Sequence, residues 1–332
     1  MPVRLLTGAE VTRLLDMSTC IEVMRDVLMA LGRGEAIQPL RTILRLPRGR
    51  GAFGVMPAQV DTPDAFGLKV ITVFPGNEGT RYDSHQGAVL LFEPEHGTLV
   101  AIMDAASITA IRTAAVSGLA TRVLAREDAS DLAILGSGVQ ARTHLEAVSL
   151  VRRLRRVRVW SRHEANRKSF AEWAGGRFGL DIELADTAQG AVTGADLICT
   201  VSSSRTPILE GAWLKPGAHI NAVGSSMPEA RELDSEAVRR ARLFVDRRES
   251  ALNEAGDFLL PRKEGVIDDR HLLGELGDVL LGRLNGRQSP DDITLFKSLG
   301  LAVEDVASAH AVWRAAVERH AGVALELGGL RE

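Results

Sequence analysis

Between Asp131 and Ala141 the chain reads DLAILGSGVQA, and few folds accommodate that run. A short apolar strand is cut by a glycine, and a helical pattern, VQARTHLEAVSLV, begins at once. Gly136 permits a tight turn. Gly138 lets backbone N–H groups approach a pyrophosphate at a helix N-terminus, and Ala141 completes GxGxxA spacing. Taken alone, the match could be a strand-to-helix turn with no ligand. Here further strand–helix units follow: RVRVWS with EANRKSFAEWAGG, then the apolar runs DLICTV, HINAVG and RLFVDRR. This rhythm predicts a parallel, doubly wound sheet. A dinucleotide is then expected at Gly136, Ser137, Gly138, Val139 and Gln140.

Which dinucleotide depends on the end of the second strand, VRVWSRHEANR. An NAD site expects an acidic residue there for the ribose hydroxyls. This chain places Trp160, Ser161, Arg162 and His163 instead, and Glu164 comes late enough to start the next helix. Arginine beside a hydroxyl suits a 2′-phosphate, because guanidinium makes charge-assisted, bidentate bonds to phosphate. The reading is NADP(H) preferred and NAD(H) possible, with Ser161, Arg162, His163 and Asn166 as contacts. The alternative is that Arg162 is a surface cation on an arginine-rich face. Thr200, Val201 and Ser202 follow another strand at the same sheet edge and are expected cofactor neighbours. A Ser/Thr loop satisfying its own backbone is the bland alternative.

Before residue 118 the character differs. Val11 to Leu31 shows helical spacing, with Thr7 or Ser18 as caps. RTILRLP, AFGVMPA, FGLKVITVF, GAVLLFEP and GTLVAIMD then read as a mainly antiparallel meander, with FEPEHGTL as a hairpin turn. A helix of small residues is predicted from Ser107 to Arg126. The last helix, from about Ile293 to His320, returns towards the first part. The fold class is therefore α/β: a Rossmann dinucleotide-binding domain, 119–311, plus a discontinuous α+β substrate and dimerisation domain, 1–118 and 312–332.

Composition excludes several roles. The net charge of −3 gives no sign of a nucleic-acid partner. Two distant cysteines, Cys20 and Cys199, fit a reducing cytoplasm better than a disulfide framework. MPVRLLTGAE lacks a long apolar core, so no signal peptide is expected, and no apolar run is long enough to span a membrane. The histidines lack metal-ligand spacing, so no metal is expected.

Several stretches together carry a resemblance: QPLRT (Gln38–Thr42), GVMPA, GLKVIT, SHQGAVLLFEPEHGTLVAIMD, ITAIRTAAVSGLA, ILGSGVQA, GAHINAVGSSMPEARELD, EAGD and FKSLGLAVEDVASA. Over nearly the whole chain the sequence resembles the ornithine cyclodeaminase/mu-crystallin family, nearest the mu-crystallin side. The resemblance implies a homodimer and an α-amino or α-imino acid substrate. It places Arg41, Lys69 and Arg112 on the substrate carboxylate, with Met56, His85 and Gln86 nearby and Arg112 also near the cofactor. Lys297 and Ser298 are expected at the nicotinamide end, as is Val223. Asp305 is expected to be a structural partner. Read alone, each cation is more often a surface charge, and strand alternation leaves the face of Lys69 open. Arg112, in a helix of small apolar residues, demands a partner.

The resemblance also bears on the reaction. Cyclodeaminases carry a carboxylate two residues before the proline of the loop after the NAVG-like strand, and here that position is Ser226. A serine is no comparable base without an activating partner. The expected reaction is therefore NADPH-dependent reduction of a cyclic ketimine carboxylate, Δ1-pyrroline-2-carboxylate or Δ1-piperideine-2-carboxylate, to proline or pipecolate. Lys69, Arg112 and Ser226 are the residues expected to carry it. An L-alanine-type dehydrogenase, an ornithine cyclodeaminase and a non-enzymatic small-ligand-binding protein are the alternatives, in that order. The intact glycine loop and cations argue against the last.

Overall fold

The computed structural model describes residues 2–77 and 79–327; Met1, Glu78 and residues 328–332, all assigned above to the substrate domain, lie outside the described residues. The chain divides into two units, Met1–Arg112 with Leu301–Glu332, and Thr113–Gly300. These boundaries differ from the expected 118/119 and 311/312. The helix Ala105–Leu124 changes allegiance midway: Arg112 bonds to Glu304 and Asp305, whereas Ser117 and Thr121 bond to His144 and Asn221. The helix Ala302–Glu318 belongs wholly to the first unit rather than being split.

In the first unit, β1 (Val3–Leu6) lies parallel to β7 (Leu99–Asp104). β4 (Ala52–Asp61), β5 (Asp64–Val73), β6 (His85–Phe92) and β7 form an antiparallel meander, and β2 (Ala36–Ile37) and β3 (Thr42–Arg45) both pair with β4. One face of the meander carries Met56, Ala58, Val60, Ala65, Val89, Leu91 and Met103, all buried. The helices Met17–Arg33 and Ala302–Glu318 pack there. The period of two puts Lys69 on this same face, opposite Met56. The expected Val11–Leu31 helix is two helices, Gly8–Leu14 and Met17–Arg33. Thr7 caps the first, and Asp16 rather than Ser18 caps the second, accepting from Thr19 N at 2.8 Å.

The second unit is one sheet of eight parallel strands: β8 (Asp131–Leu135), β9 (Arg156–Trp160), β10 (Ile182–Leu184), β11 (Leu197–Thr200), β12 (His219–Ala222), β13 (Ala241–Val245), β14 (Leu272–Glu275) and β15 (Ile293–Lys297). Their order is β10-β9-β8-β11-β12-β15-β13-β14, so the topological switch falls between β8 and β11. Leu132 and Ile134 pack into one apolar cluster and Ala133 and Leu135 into another, so both faces are covered. Ile293–Lys297, expected to open the last helix, is instead a fully buried strand between β12 and β13. A short continuous apolar run fits either state. Gly300, at φ 80°, ends the connection before the helix starts at Ala302. The described chain closes with β16 (Val323–Leu325), antiparallel to β1 in the first unit. No described helix is long and apolar enough to cross a membrane.

Candidate functional site

In the second unit, the residues expected to meet a dinucleotide lie at the C-terminal strand ends and the turn after β8. Gly136 sits at φ 135°, and a Cβ there would lie 2.6 Å from the Val201 carbonyl oxygen, so only glycine fits the turn after β8. Gly138 is different. A Cβ would meet nothing of the chain within 4 Å, and the Val139–Val151 helix has no side-chain cap. With no side-chain cap among the described residues, its first N–H groups can turn to an anion. Ser137 Oγ donates to Ser161 Oγ at 3.0 Å, and Gly136 N donates to Trp160 O at 2.8 Å, tying the glycine loop to the end of β9.

Past Trp160 the chain is open to solvent at Arg162, His163 and Asn166. Glu164 starts the next helix and pairs with Lys168 at 2.7 Å, so it is engaged on its own helix. Arg167 is buried and donates to Ser161 O at 2.7 Å, fixing the strand end that presents Arg162. The buried Thr200 and Ser298 hydroxyls at neighbouring strand ends, and Gln140 Oε1 in the first turn of the Val139–Val151 helix, have no protein partner among the described residues. Three orphaned polar groups at one sheet edge, with the uncapped helix, fit a polar dinucleotide.

The loop after β12 holds Val223, half-buried, and Ser226, exposed. Ser225 is buried, its hydroxyl donating to Ala230 O at 2.6 Å. Ser202 is bound inward, its N–H and hydroxyl both reaching Glu232. Lys297 Nζ donates to Ala222 O at 3.2 Å and to Ser225 O, and pairs with Asp257 at 3.1 Å. It supports the loop, whereas the sequence reading aimed it at a nicotinamide.

In the first unit, the expected carboxylate clamp is a buried ionic cluster. Lys69, 2% exposed, pairs through Nζ with Asp305 Oδ2 at 2.7 Å and lies 3.4 Å from Thr109 Oγ1. Arg112, 3% exposed, donates from Nε to Asp305 Oδ1 at 3.0 Å and from NH1 to Glu304 Oε2 at 2.8 Å. Gln38 Oε1 accepts from Val303 N at 3.0 Å, anchoring the QPLRT segment to the same helix. Arg41, half-buried on that segment, lies within electrostatic reach of Lys69. Burial, above all, lowers the Lys69 ammonium to about 8; Arg112 and Arg41 push the same way while Asp305 opposes them. His85, exposed at the start of β6, takes a 2.9 Å contact from Ser84, and its imidazole is held below its ordinary value by desolvation and by Lys69. Gln86 donates to Asp83 O at 3.0 Å.

Four buried acids carry much of this geometry. Asp305 was expected as a structural partner, but Glu304, Asp257 and Glu232 were not singled out. The available signal was an acid set among apolar residues, as in AVEDVASA and ARELD.

The model of the Ornithine cyclodeaminase/mu-crystallin family matches residues 3–320. The chain is 45% identical over 280 residues, 84% of its length and 85% of the relative's, to ketimine reductase mu-crystallin of Mus musculus. The structure of Thermococcus litoralis Δ(1)-pyrroline-2-carboxylate reductase, in complex with NADH and L-proline, superposes with a TM-score of 0.95 at 38% identity, covering 97% of this chain and 99% of that one. An archaeal alanine dehydrogenase dimer with bound NAD gives a TM-score of 0.93 at 30% identity, covering 99% and 100%.

Proposed function

The chain belongs to the ornithine cyclodeaminase/mu-crystallin family, and on that premise we propose that it is an NADPH-dependent reductase of a cyclic ketimine carboxylate, Δ1-pyrroline-2-carboxylate or Δ1-piperideine-2-carboxylate. Reductases among its relatives support C=N chemistry with a nicotinamide dinucleotide. The observation that carries the finer reading is the buried Lys69–Asp305–Arg112 cluster. Burying cations is costly unless a partner compensates, and the proton affinity of Lys69 is already depressed. Asp305 and Glu304 offset that cost in the structure, and they fix the two cations in place for a substrate carboxylate to meet.

The nicotinamide, when bound, supplies the hydride that the imine carbon accepts. The chain's residues do the rest. Arg41, Lys69 and Arg112 hold the carboxylate and so orient the α-carbon. With a value near 8, Lys69 can give a proton to the imine nitrogen as that atom becomes an amine; an imine that arrives protonated needs only the clamp. Ser226 hydrogen-bonds the ring nitrogen or a water. No carboxylate stands at 226 to take the proton of a distal amine, which argues against ornithine cyclisation. Turnover of ketimine with NADPH, and none of pyruvate plus ammonia or of L-ornithine with NAD, is the expected pattern for the purified protein. Proline and ammonia released from ornithine would refute it.

NADPH is preferred over NADH on the strength of exposed Arg162 and the engagement of Glu164 with Lys168. Losing a charge-assisted phosphate contact costs about 1.5–3 kcal/mol, so Arg162→Asp is expected to raise the KM for NADPH at least tenfold, by about 10–150-fold. The KM for NADH should fall or hold. Unchanged NADPH affinity would overturn the phosphate assignment. Two further readings stay with the proposal. Exposed Ile37, Ile43 and Leu44 on the outer strands β2 and β3 suit a homodimer. The free buried thiols Cys20 and Cys199 suit a reducing cytoplasm.

A further inference from the structure

Glu232 is 0% exposed and makes no contact that substrate binding would explain. Its Oε1 accepts from Ser202 N at 2.7 Å and from Ser202 Oγ at 2.6 Å, and its Oε2 accepts from Gly224 N at 2.8 Å. Ser202 follows β11 and Gly224 follows β12, adjacent parallel strands. One carboxylate therefore joins two loops that leave the sheet at its ligand-binding edge. The loops touch closely: a Cβ on Gly224 would lie 2.1 Å from Ser202 O and 2.6 Å from Glu232 Oε1.

The carboxylate is itself held. Asp257 Oδ1 accepts from Glu232 N at 2.8 Å and Leu233 N at 3.0 Å, and Lys297 pairs with Asp257 while donating to Ala222 O and Ser225 O. Glu232 O accepts from Ile208 N and Leu209 N. The three groups that hydrogen-bond the side-chain oxygens are all donors, which suits an ionised carboxylate, while Asp257 acts on it as a like charge.

We propose that Glu232 is a positioning residue: its carboxylate locks the loop after β11 to the loop after β12 and so holds Val223 to Ser226 in the shape that presents them to cofactor and substrate. The consequence rests on the reductase reading given above; the lock itself does not. Burial and the neighbouring Asp257 raise Glu232 to about 7, with Ser202 and Lys297 opposing. Protonation removes the charge that strengthens the bonds to Ser202 N and Gly224 N, the acid proton turning to the Ser202 hydroxyl. The lock therefore holds above that value and loosens as pH falls through it.

The test uses the full chain, wild type against Glu232→Gln and Glu232→Asp. The amide of Gln places N–H against N–H at one loop, whereas Asp keeps an acceptor but is too short to bridge both. Hydrogen exchange of the segments bearing the Ser202 and Gly224 amides should quicken at least tenfold in Glu232→Gln at pH 8. The KM for NADPH should rise about tenfold or more with a smaller change in kcat, and Glu232→Asp should fall between. In wild type that KM should rise as pH drops below 7, and the trend should vanish in Glu232→Gln. If Glu232→Gln does not fold, Glu232→Asp alone carries the comparison. Wild-type exchange rates in both variants would overturn the lock. Faster exchange with unchanged NADPH KM would overturn its role in presentation. A wild type that binds and turns over no nicotinamide would instead sink the reductase reading, with the exchange result still deciding the lock.

Discussion

Lys69→Met is expected to lower kcat/KM for the cyclic ketimine about 10³-fold, the combined scale of a lost charge-assisted clamp and a lost proton donor. Met keeps much of the length and apolar bulk of the lysine stem, so the sheet face opposite Met56 and Val89 should stay packed. The pH profile adds a second reading. The active form is the ammonium, and burial puts its value at about 8. In the wild type, kcat/KM should therefore be level below that pH and fall tenfold per unit above it. A bound carboxylate favours the ammonium, so the limb in kcat should lie at higher pH. Lys69→Arg separates clamp from donor, because a guanidinium keeps its charge but gives up no proton at these pH values. Recovery of kcat/KM in Lys69→Arg, with the alkaline limb gone, would mean the imine arrives protonated and Lys69 only holds the carboxylate. An unchanged profile in Lys69→Met would remove Lys69 from the site altogether.

What the sequence disclosed, and what it hid, follows from the range of the interactions involved. The glycine loop is local: strand, Gly136 turn and helix start within a few residues, so its geometry is written in order. The meander is also local, since each strand pairs with the next across a short turn. Strand periodicity could say that Lys69 faced opposite to Leu68 and Val70 but not which face was covered. That depended on a helix more than two hundred residues later, Ala302–Glu318, packing over β5. The same distance hid Glu304 as the partner of Arg112. Glu232 and Asp257 were hidden for a related reason, because an acid in a loop or in the first turn of a short helix looks solvated until distant segments are seen to close on it. The start of the last helix was misplaced because Ile293 to Lys297 is apolar throughout and a strand buried on both sides has no alternation to betray it.

Asp305→Asn should destabilise the fold by about 3–5 kcal/mol, the cost of leaving a buried charge without its partner. Asp305 is 0% exposed and holds two cations at once, Lys69 through Oδ2 at 2.7 Å and Arg112 through Oδ1 at 3.0 Å. Asparagine nearly preserves the volume but turns one oxygen into a donor that faces an ammonium or a guanidinium. The loss should appear as a lower urea midpoint with little change in slope. The functional counterpart has a definite sign. Asp305 is the main group raising the Lys69 value against burial, so its removal should push that value below about 8 and move the alkaline limb of kcat/KM to lower pH. A double-variant cycle identifies the cause. In Lys69→Met with Asp305→Asn, the ammonium that lost its carboxylate is gone while Arg112 keeps Glu304, so the double variant should be less destabilised than the sum of the singles by 1 kcal/mol or more, about the scale expected for contacting residues. Strict additivity would show that Lys69 and Asp305 do not act as a pair. An alkaline limb that stays in place in Asp305→Asn would show that some group other than Lys69 sets it.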